Sequence, residues 1–234
     1  MKESTRINEW FVPRFGPLKF RAFIGLLFLP YTGMCISFAV IGSILPGTIF
    51  WDRTVAILVI YFFALGISAH AADNLGSKVK KPWGNYFTKK ELKIMVIAGL
   101  SIAYLIGLYY AIAYAYLLLF IGIIEGFFLF AYNFELFKGF FHNNFWFAIS
   151  WGSLPLLAGY IIQTNTISEI SIIAASFAFL ISYIEIRISR RYKELKRNSH
   201  DNPKSTKLEY YLKIISFTTI SFCIVLIFLR IYML

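Results

Sequence analysis

The sequence predicts an all-α fold, a polytopic membrane helical bundle with about seven transmembrane helices. Apolar residues make up 59% of the 234-residue chain and aromatic residues 19%, whereas a soluble domain is about 45–50% apolar. Lys and Arg outnumber Asp and Glu by 23 to 12, but they lie between long apolar runs, as in a membrane protein oriented by its basic loops. We therefore predict one transmembrane domain over residues 1–234, with membrane lipid rather than nucleic acid as its surroundings.

Seven apolar runs are long enough to cross a bilayer as helices. A helix of about 20 apolar residues can span the hydrocarbon layer because it satisfies its own backbone hydrogen bonds there. The stretch from Ile94 to Tyr132 carries no charge except Glu125 and is too long for one crossing, so we predict a turn near Tyr110–Tyr114. The predicted spans are residues 20–45, 54–72, 92–110, 113–133, 145–162, 167–186 and 211–231.

Basic residues alternate between the two sides of this topology. All of them except Arg53 and Arg230 fall in the N-terminal segment or in the segments that follow the second, fourth and sixth spans. The positive-inside rule then predicts an integral membrane protein with its N-terminus in the cytoplasm and its C-terminus outside. Residues 1–19, rich in aromatic and basic side chains, are predicted to lie at the interface, and residues 73–91 and 187–210 to form basic cytoplasmic loops.

Polar residues collect at helix ends that this topology places on one side of the membrane. His70 and Asp73 end the second span and lie one helical turn apart, so they can share a helix face. Polar groups are costly at such positions and often mark a functional site. The predicted site combines these groups with those near the fourth, fifth and sixth spans: His70, Asp73, Asn133, Glu135, His142 and Glu185.

Several polar residues of the predicted spans also have a purely structural interpretation. His70 can be a helix-end histidine bonded to the backbone, and Asp73 can belong to a helix-ending turn. Glu125 can be a protonated carboxyl bonded to a neighbouring helix. Arg190 and Arg191 can anchor the sixth span at the cytoplasmic face, or they can neutralise a phosphate-bearing ligand, which the planar guanidinium does well.

With these residues in place, the layout of residues 10–195 resembles the UbiA superfamily of intramembrane prenyltransferases. The segment WFVPRFGPLKFR precedes the first span, and SAHAADNLGSKVKKPWG follows the second. YNFELFKG and then WGSLPLLAGY resemble the family's segment after its fourth span and the Gly–x–x–Pro–x–x–x–Gly pattern of the next. The matching positions in that block are Tyr132, Lys138, Gly152, Pro155 and Gly159.

The resemblance implies a helical bundle around a cavity in which Mg²⁺ ions hold a prenyl diphosphate. Setting Asp73 on the first aspartate of the family's first acidic motif, N-x-x-x-D-x-x-x-D, places Ala69 and Ser77 at its other two positions. At the second motif the chain has a single carboxylate, Glu185, and the implied metal ligands are therefore Asp73 and Glu185. The implied substrate-binding residues are Tyr132, Lys138, Arg190 and Arg191, and the implied catalytic residues are Asp73, His70, Asn133, Glu135 and His142.

Three functions remain open on these grounds, and a secondary transporter is a fourth, although no inverted repeat is visible in the sequence. The first is transfer of a prenyl group from a prenyl diphosphate to a lipophilic acceptor with Mg²⁺. The second is a non-catalytic UbiA-like protein that binds an isoprenoid or quinone or serves as a subunit of a membrane complex. The third is a transition-metal site, because mixed imidazole and carboxylate ligands suit zinc, manganese or iron. Its ligands would be His70, Asp73, Glu135 and His142.

Overall fold

In the computed structural model, which describes residues 6–77, 81, 83–198 and 202–232, every regular element is helical. Two π-helical segments, Phe62–Ala69 and Ile149–Ser153, and two 3₁₀ turns, Arg6–Asn8 and Phe137–Gly139, accompany the α-helices. The α-helices in this part of the chain are α1 (Leu18–Leu27), α2 (Leu29–Ile44), α3 (Trp51–Tyr61), α4 (His70–Gly76), α5 (Lys89–Ala113), α6 (Leu117–Asn133), α7 (Asn144–Ala148), α8 (Leu154–Thr164), α9 (Glu169–Asn198) and α10 (Pro203–Tyr232).

Among the described residues, helices that continue across short irregular segments form six runs long and apolar enough to cross a membrane. These runs are Leu18–Ile44, Trp51–Gly76, Lys89–Ala113, Asn144–Thr164, Glu169–Lys196 and Pro203–Tyr232. A shorter apolar helix, Leu117–Asn133, has 17 residues and rises about 26 Å at 1.5 Å per residue. The prediction of an all-helical membrane bundle with about seven apolar helices is confirmed at this level.

Contacts near the helix ends show that the helices alternate in direction. At one end of the bundle the Arg53 guanidinium donates to the carbonyl oxygens of Ile162 and Gln163, and Arg230 donates to the carbonyl oxygen of Pro46. At the other end Lys196 pairs with Glu9 at 3.0 Å. The parts of the chain near Glu9 and near Arg230 therefore lie at opposite ends of the bundle, as an odd number of crossings requires.

The turn between the third and fourth spans lies later than predicted. Helix α5 continues through Ala113, because the carbonyl oxygen of Tyr110 still accepts hydrogen bonds from the N–H groups of Tyr114 and Ala115. The next helix starts at Leu117, whose N–H donates to the side-chain oxygen of Asn165 at 3.0 Å. A cap from a distant loop, which hydropathy does not reveal, fixes this boundary.

The prediction of a loop at residues 187–210 is wrong, because most of these residues are helical. Helix α9 runs through Asn198, and α10 begins at Pro203, where proline is tolerated in the first helical turn. Residues Ile186, Ser189 and Tyr192 are buried at a spacing of three, so one face of α9 continues to pack beyond the apolar run. The predicted 73–91 loop begins as helix, because α4 extends to Gly76. Residues 78–80 and 82 of that loop lie outside the described residues. Residues 1–5 of the predicted interfacial segment do so too.

Helices α2 and α8 approach each other so closely that backbone meets backbone. A Cβ atom on Gly159 would overlap the carbonyl oxygen of Ala39, and one on Gly42 would overlap the carbonyl oxygen of Leu156. Lipid tails are as apolar as leucine, so helices in a membrane associate through this kind of close packing of small residues. The Gly–x–x–Pro–x–x–x–Gly pattern thus has a packing role at its second glycine.

We expect Gly159→Ala to destabilise the bundle by about 1–3 kcal/mol, the usual cost of forcing an extra carbon into a packed interior. Gly47→Ala is the matched control, because a Cβ atom there meets no neighbour within 4 Å. Thermal unfolding of the two variants in detergent, followed by size-exclusion chromatography, measures the difference. Equal melting temperatures for both variants would contradict the close approach of α2 and α8.

Candidate functional site

The first transmembrane run is broken at Phe28, which separates α1 from α2. Phe28 has left-handed backbone angles, φ 48° and ψ 52°. The break follows from Pro30, which has no N–H to donate and whose ring disfavours a continuous helix through the preceding turn. Thr32 compensates by donating its side-chain hydroxyl to the carbonyl oxygen of Leu27 at 2.6 Å. The break leaves the Phe28 ring facing the second span, where it contacts His70.

The second and fifth spans each contain a π-helical segment at the same end of the bundle. Such segments are rare and occur frequently at functional sites. The segment Phe62–Ala69 ends immediately before His70, and Ile149–Ser153 contains Trp151. Ser68 stabilises the first segment by donating to the carbonyl oxygen of Phe63 at 2.9 Å.

These three interruptions of regular α-helix converge on one cluster of rings. The imidazole of His70 lies 5.6 Å from the Phe28 ring centroid and 5.1 Å from that of Trp151. Its Nε2 atom lies 3.4 Å from the Thr32 hydroxyl. His70 therefore joins the first, second and fifth spans, and it does so through side chains rather than through a backbone contact.

A cavity of about 550 Å³ opens beside this ring cluster. Its wall combines aromatic rings, imidazoles, three basic side chains and three acidic ones. The lining residues are Arg6, Leu26, Phe28, Tyr31, His70, Asp73, Ser77, Trp83, Tyr132, Asn133, Glu135, His142, Phe147, Trp151, Ile186, Arg190, Lys193 and Glu194.

Most of the site residues predicted from sequence line this one cavity. They are His70, Asp73, Tyr132, Asn133, Glu135, His142 and Arg190. Arg190 donates to the Tyr132 hydroxyl at 3.1 Å, and the Tyr132 and His142 rings stack with centroids 4.4 Å apart. Asn133 donates its amide to the carbonyl oxygen of Leu129 at 2.8 Å. The convergence expected from alternating spans is therefore present in the structure.

Three predicted residues lie elsewhere, and their predicted placement is wrong. Lys138 and Arg191 are exposed and are not in the cavity wall. Lys138 sits in the 3₁₀ turn after α6 with left-handed φ of 57°, and Arg191 is one residue beyond Arg190 and so points about 100° away around α9. Glu185 is only 1% exposed and is also absent from the wall.

Two basic lining residues were missed from sequence, Arg6 and Lys193. Lys193 follows Arg190 by three residues and shares its face of α9. The predicted sixth span ended at residue 186, so this shared helix face was not predicted. Arg6 comes from the 3₁₀ turn before α1, and no periodicity ties it to the cavity. Arg6 and Lys193 influence each other electrostatically, so two positive side chains approach from different ends of the chain.

The segment that carries Arg6 is tied to the last two helices by a largely buried polar network. Glu9 pairs with Lys196 at 3.0 Å, with side chains 12% and 24% exposed. The Tyr192 hydroxyl lies 2.8 Å from a Glu9 oxygen and 3.0 Å from a Glu209 oxygen, and Lys213 pairs with Glu209 at 2.7 Å. The network holds the N-terminal segment over one side of the cavity.

The resemblance implies Asp73 and Glu185 as Mg²⁺ ligands, and of these two only Asp73 belongs to the cavity wall. Glu185 is buried, its Oε1 atom has no hydrogen-bond partner among the described residues, and both carboxylates act electrostatically on the wall residue Lys193. Mg²⁺ commonly binds one or two carboxylates together with substrate phosphates. Asp73 together with a bound diphosphate would therefore suit the ion.

The four residues of the transition-metal alternative also line this cavity: His70, Asp73, Glu135 and His142. Within the described part of the chain, no three His, Cys, Asp or Glu residues form a group able to hold a metal ion. His142 has its Nδ1 atom 2.9 Å from the carbonyl oxygen of Tyr132. The arrangement therefore gives this alternative no support.

Comparisons of this chain with protein-family models, curated proteins and solved structures gave no match. The cavity and its residues are therefore interpreted on their own geometry.

We expect Lys196→Gln to loosen the N-terminal segment and to lower stability by roughly 1–3 kcal/mol, because it leaves the Glu9 carboxylate buried without its cation. Lys204→Gln, on an exposed side chain at the start of α10, is the matched control. Thermal unfolding and the rate of tryptic cleavage after Arg14 report the two effects. The double variant Glu9→Lys with Lys196→Glu should recover part of the lost stability. If neither readout changes in Lys196→Gln, the Glu9–Lys196 pair does not hold the N-terminal segment.

Proposed function

We propose that this chain is a membrane-embedded prenyltransferase that moves a prenyl group from a prenyl diphosphate to a lipophilic acceptor. The observation that carries the proposal is the convergence of seven sequence-predicted residues on one cavity at one end of a lipid-embedded bundle. A prenyl diphosphate has a multiply charged head and an apolar chain, so it needs a polar cavity that opens into a hydrophobic bundle. The resemblance to the UbiA superfamily supports the same choice of substrate.

The head group would bind to the basic side chains of the wall. Arg190 and Lys193 project from neighbouring turns of α9, and Arg6 reaches the cavity from the N-terminal segment. Guanidinium groups bind phosphate oxygens through paired N–H donors. The Tyr132 hydroxyl, which already accepts from Arg190, fixes the guanidinium and could itself donate to a phosphate oxygen.

The chemistry proposed is cleavage of the carbon–oxygen bond to diphosphate, followed by attack of the acceptor on the allylic cation. The bonding electrons leave with the diphosphate, whose growing negative charge the basic groups stabilise. Faces of Phe28 and Trp151 lie beside the cavity and can stabilise the cation through their ring quadrupoles. After attack, Asp73 or His70 takes the proton that the acceptor loses, and both residues line the same wall.

Mg²⁺ belongs to this proposal as the resemblance implies it, with Asp73 in the cavity wall as the carboxylate that would hold the ion beside the diphosphate. The family resemblance places the reaction on the cytoplasmic side, in agreement with the distribution of basic residues. In that orientation the N-terminus is cytoplasmic and the C-terminus is outside.

Transfer can be measured directly on the purified full-length chain in lipid nanodiscs. We expect radiolabelled geranylgeranyl diphosphate to yield labelled lipid when a membrane-lipid extract supplies the acceptor, and we would run the assay both with Mg²⁺ and with EDTA. If the diphosphate is neither bound nor transferred under either condition, the proposal is overturned. Binding without transfer would favour the non-catalytic alternative.

Two adjacent arginines provide a matched test of head-group binding. We expect Arg190→Gln to weaken binding of geranylgeranyl diphosphate by about tenfold or more, since a hydrogen bond to a charged group contributes about 1.5–3 kcal/mol. Arg191→Gln should bind like the unaltered chain, because Arg191 lies outside the cavity wall. Equilibrium binding in nanodiscs measures both, and equal losses would indicate a general surface-charge effect instead.

Asp73→Asn separates catalysis from binding. The amide keeps the size of the carboxylate but cannot accept the proton released by the acceptor, so we expect transfer to fall by about 10²-fold or more. Binding of the prenyl diphosphate should change little, because Asp73 carries the wrong charge to hold it. Unchanged transfer in this variant would remove Asp73 from the chemistry and leave His70 as the base.

The alternative is a non-catalytic protein that binds an isoprenoid or a quinone, or that acts as a subunit of a membrane complex. The placement of Glu185 outside the cavity favours it, because the wall then lacks one of the two carboxylates implied by the resemblance. A lipid or a protein that co-purifies with the chain, together with a growth phenotype insensitive to Asp73→Ala, would support this alternative.

A further inference from the structure

A second pocket, separate from the polar cavity, lies among α3, the π-helical segment of the second span, α5 and α6. Its volume is about 260 Å³, and none of its lining residues belongs to the cavity wall. Two glycines create room on the α5 and α6 sides. A Cβ atom on Gly107 would meet only Ile60 at 3.9 Å, and one on Gly122 would meet only Tyr104 at 3.8 Å.

The pocket wall is apolar apart from two tyrosines and a carboxyl group. The Tyr104 hydroxyl already donates to the carbonyl oxygen of Gly122 at 2.8 Å, and the Tyr61 hydroxyl donates to Oε1 of Glu125 at 3.1 Å. The other carboxyl oxygen, Oε2, is buried and has no hydrogen-bond partner among the described residues. A buried polar atom left without a partner costs about 1–3 kcal/mol, so Oε2 marks where a ligand's polar group would bind.

The depth of Glu125 selects the kind of ligand. It lies eight residues from each end of α6, Leu117–Asn133, or about 12 Å along the helix axis. A lipid with a charged head keeps that head at the membrane surface, and its tail has no hydrogen-bonding group to offer at this depth. A molecule that lies wholly within the hydrocarbon layer can bring one.

Access to the pocket is from the lipid side. Leu108, Leu119 and Ile123 belong to its wall and are 42%, 38% and 67% exposed on the outside of the bundle. A ligand can therefore diffuse in laterally without passing through water. This route suits a hydrophobic molecule and excludes a water-soluble one.

We propose that this pocket binds an uncharged lipid and that one hydroxyl or carbonyl group of this lipid hydrogen-bonds to Glu125. Long-chain alcohols and quinones share that chemistry, and both lie within the hydrocarbon layer. The polar group pairs with the carboxyl group, the apolar body fills the space beside Gly107 and Gly122, and any longer chain extends into the lipid. The pocket is independent of the proposed prenyl transfer, since it shares no residue with the cavity.

Equilibrium binding to the full-length chain in nanodiscs tests this assignment with two probes, farnesol and a decyl-substituted benzoquinone. We expect one of them to bind saturably and to be displaced by its own excess but not by geranylgeranyl diphosphate. Preference for the alcohol identifies a hydroxyl ligand, and preference for the benzoquinone identifies a carbonyl ligand. No saturable binding of either probe would overturn the proposal.

Variants of Glu125 and Gly122 test whether the probe binds in this pocket. Glu125→Leu should weaken binding by about tenfold, the loss of one buried hydrogen bond, and Gly122→Leu should abolish it by filling the space. Glu169→Leu is the control, an exposed carboxylate at the start of α9. Infrared difference spectra should also show a carboxyl C=O band that shifts with the probe and disappears in Glu125→Gln. Binding that survives both Glu125→Leu and Gly122→Leu would place the probe elsewhere and refute the assignment.

Discussion

The close approach of α2 and α8 is the constraint on which the rest of the bundle depends. Gly42 and Gly159 let the two backbones touch, and in lipid no hydrophobic force would replace that contact if it were lost. At the cavity end the same two spans are held apart by the imidazole of His70, which contacts Phe28 on the first and Trp151 on the fifth. One narrow contact and one inserted ring together define the space between these spans.

The helical spans and most of the site were predictable because each follows from a local signal. Lipid solvation makes long apolar runs helical, and alternation of spans brings His70, Asp73 and His142 to one side. What could not be predicted is rotation about a helix axis and the path of the chain ends. Lys193 belongs to the cavity wall and Glu185 does not, although both lie on α9, and only packing against other helices decides which side chains reach the wall.

Polar and apolar binding spaces follow one another along α6. Asn133 belongs to the wall of the polar cavity, and Leu129, whose carbonyl oxygen accepts from the Asn133 amide, belongs to the wall of the apolar pocket. A single helical turn therefore separates a region suited to a charged head from one suited to an uncharged lipid. With the two ligands proposed above, the bundle would sort molecules by the depth at which they place a polar group.

The polar network around Glu9 has a consequence for how the protein is made. Its partners Tyr192 and Lys196 follow Glu9 by 183 and 187 residues, and Glu209 comes still later, on α10. The N-terminal segment must therefore wait beside the membrane while all intervening spans are inserted. Arg190 and Lys193 join the cavity wall only with α9, so a chain synthesised only through α8 lacks one side of this wall.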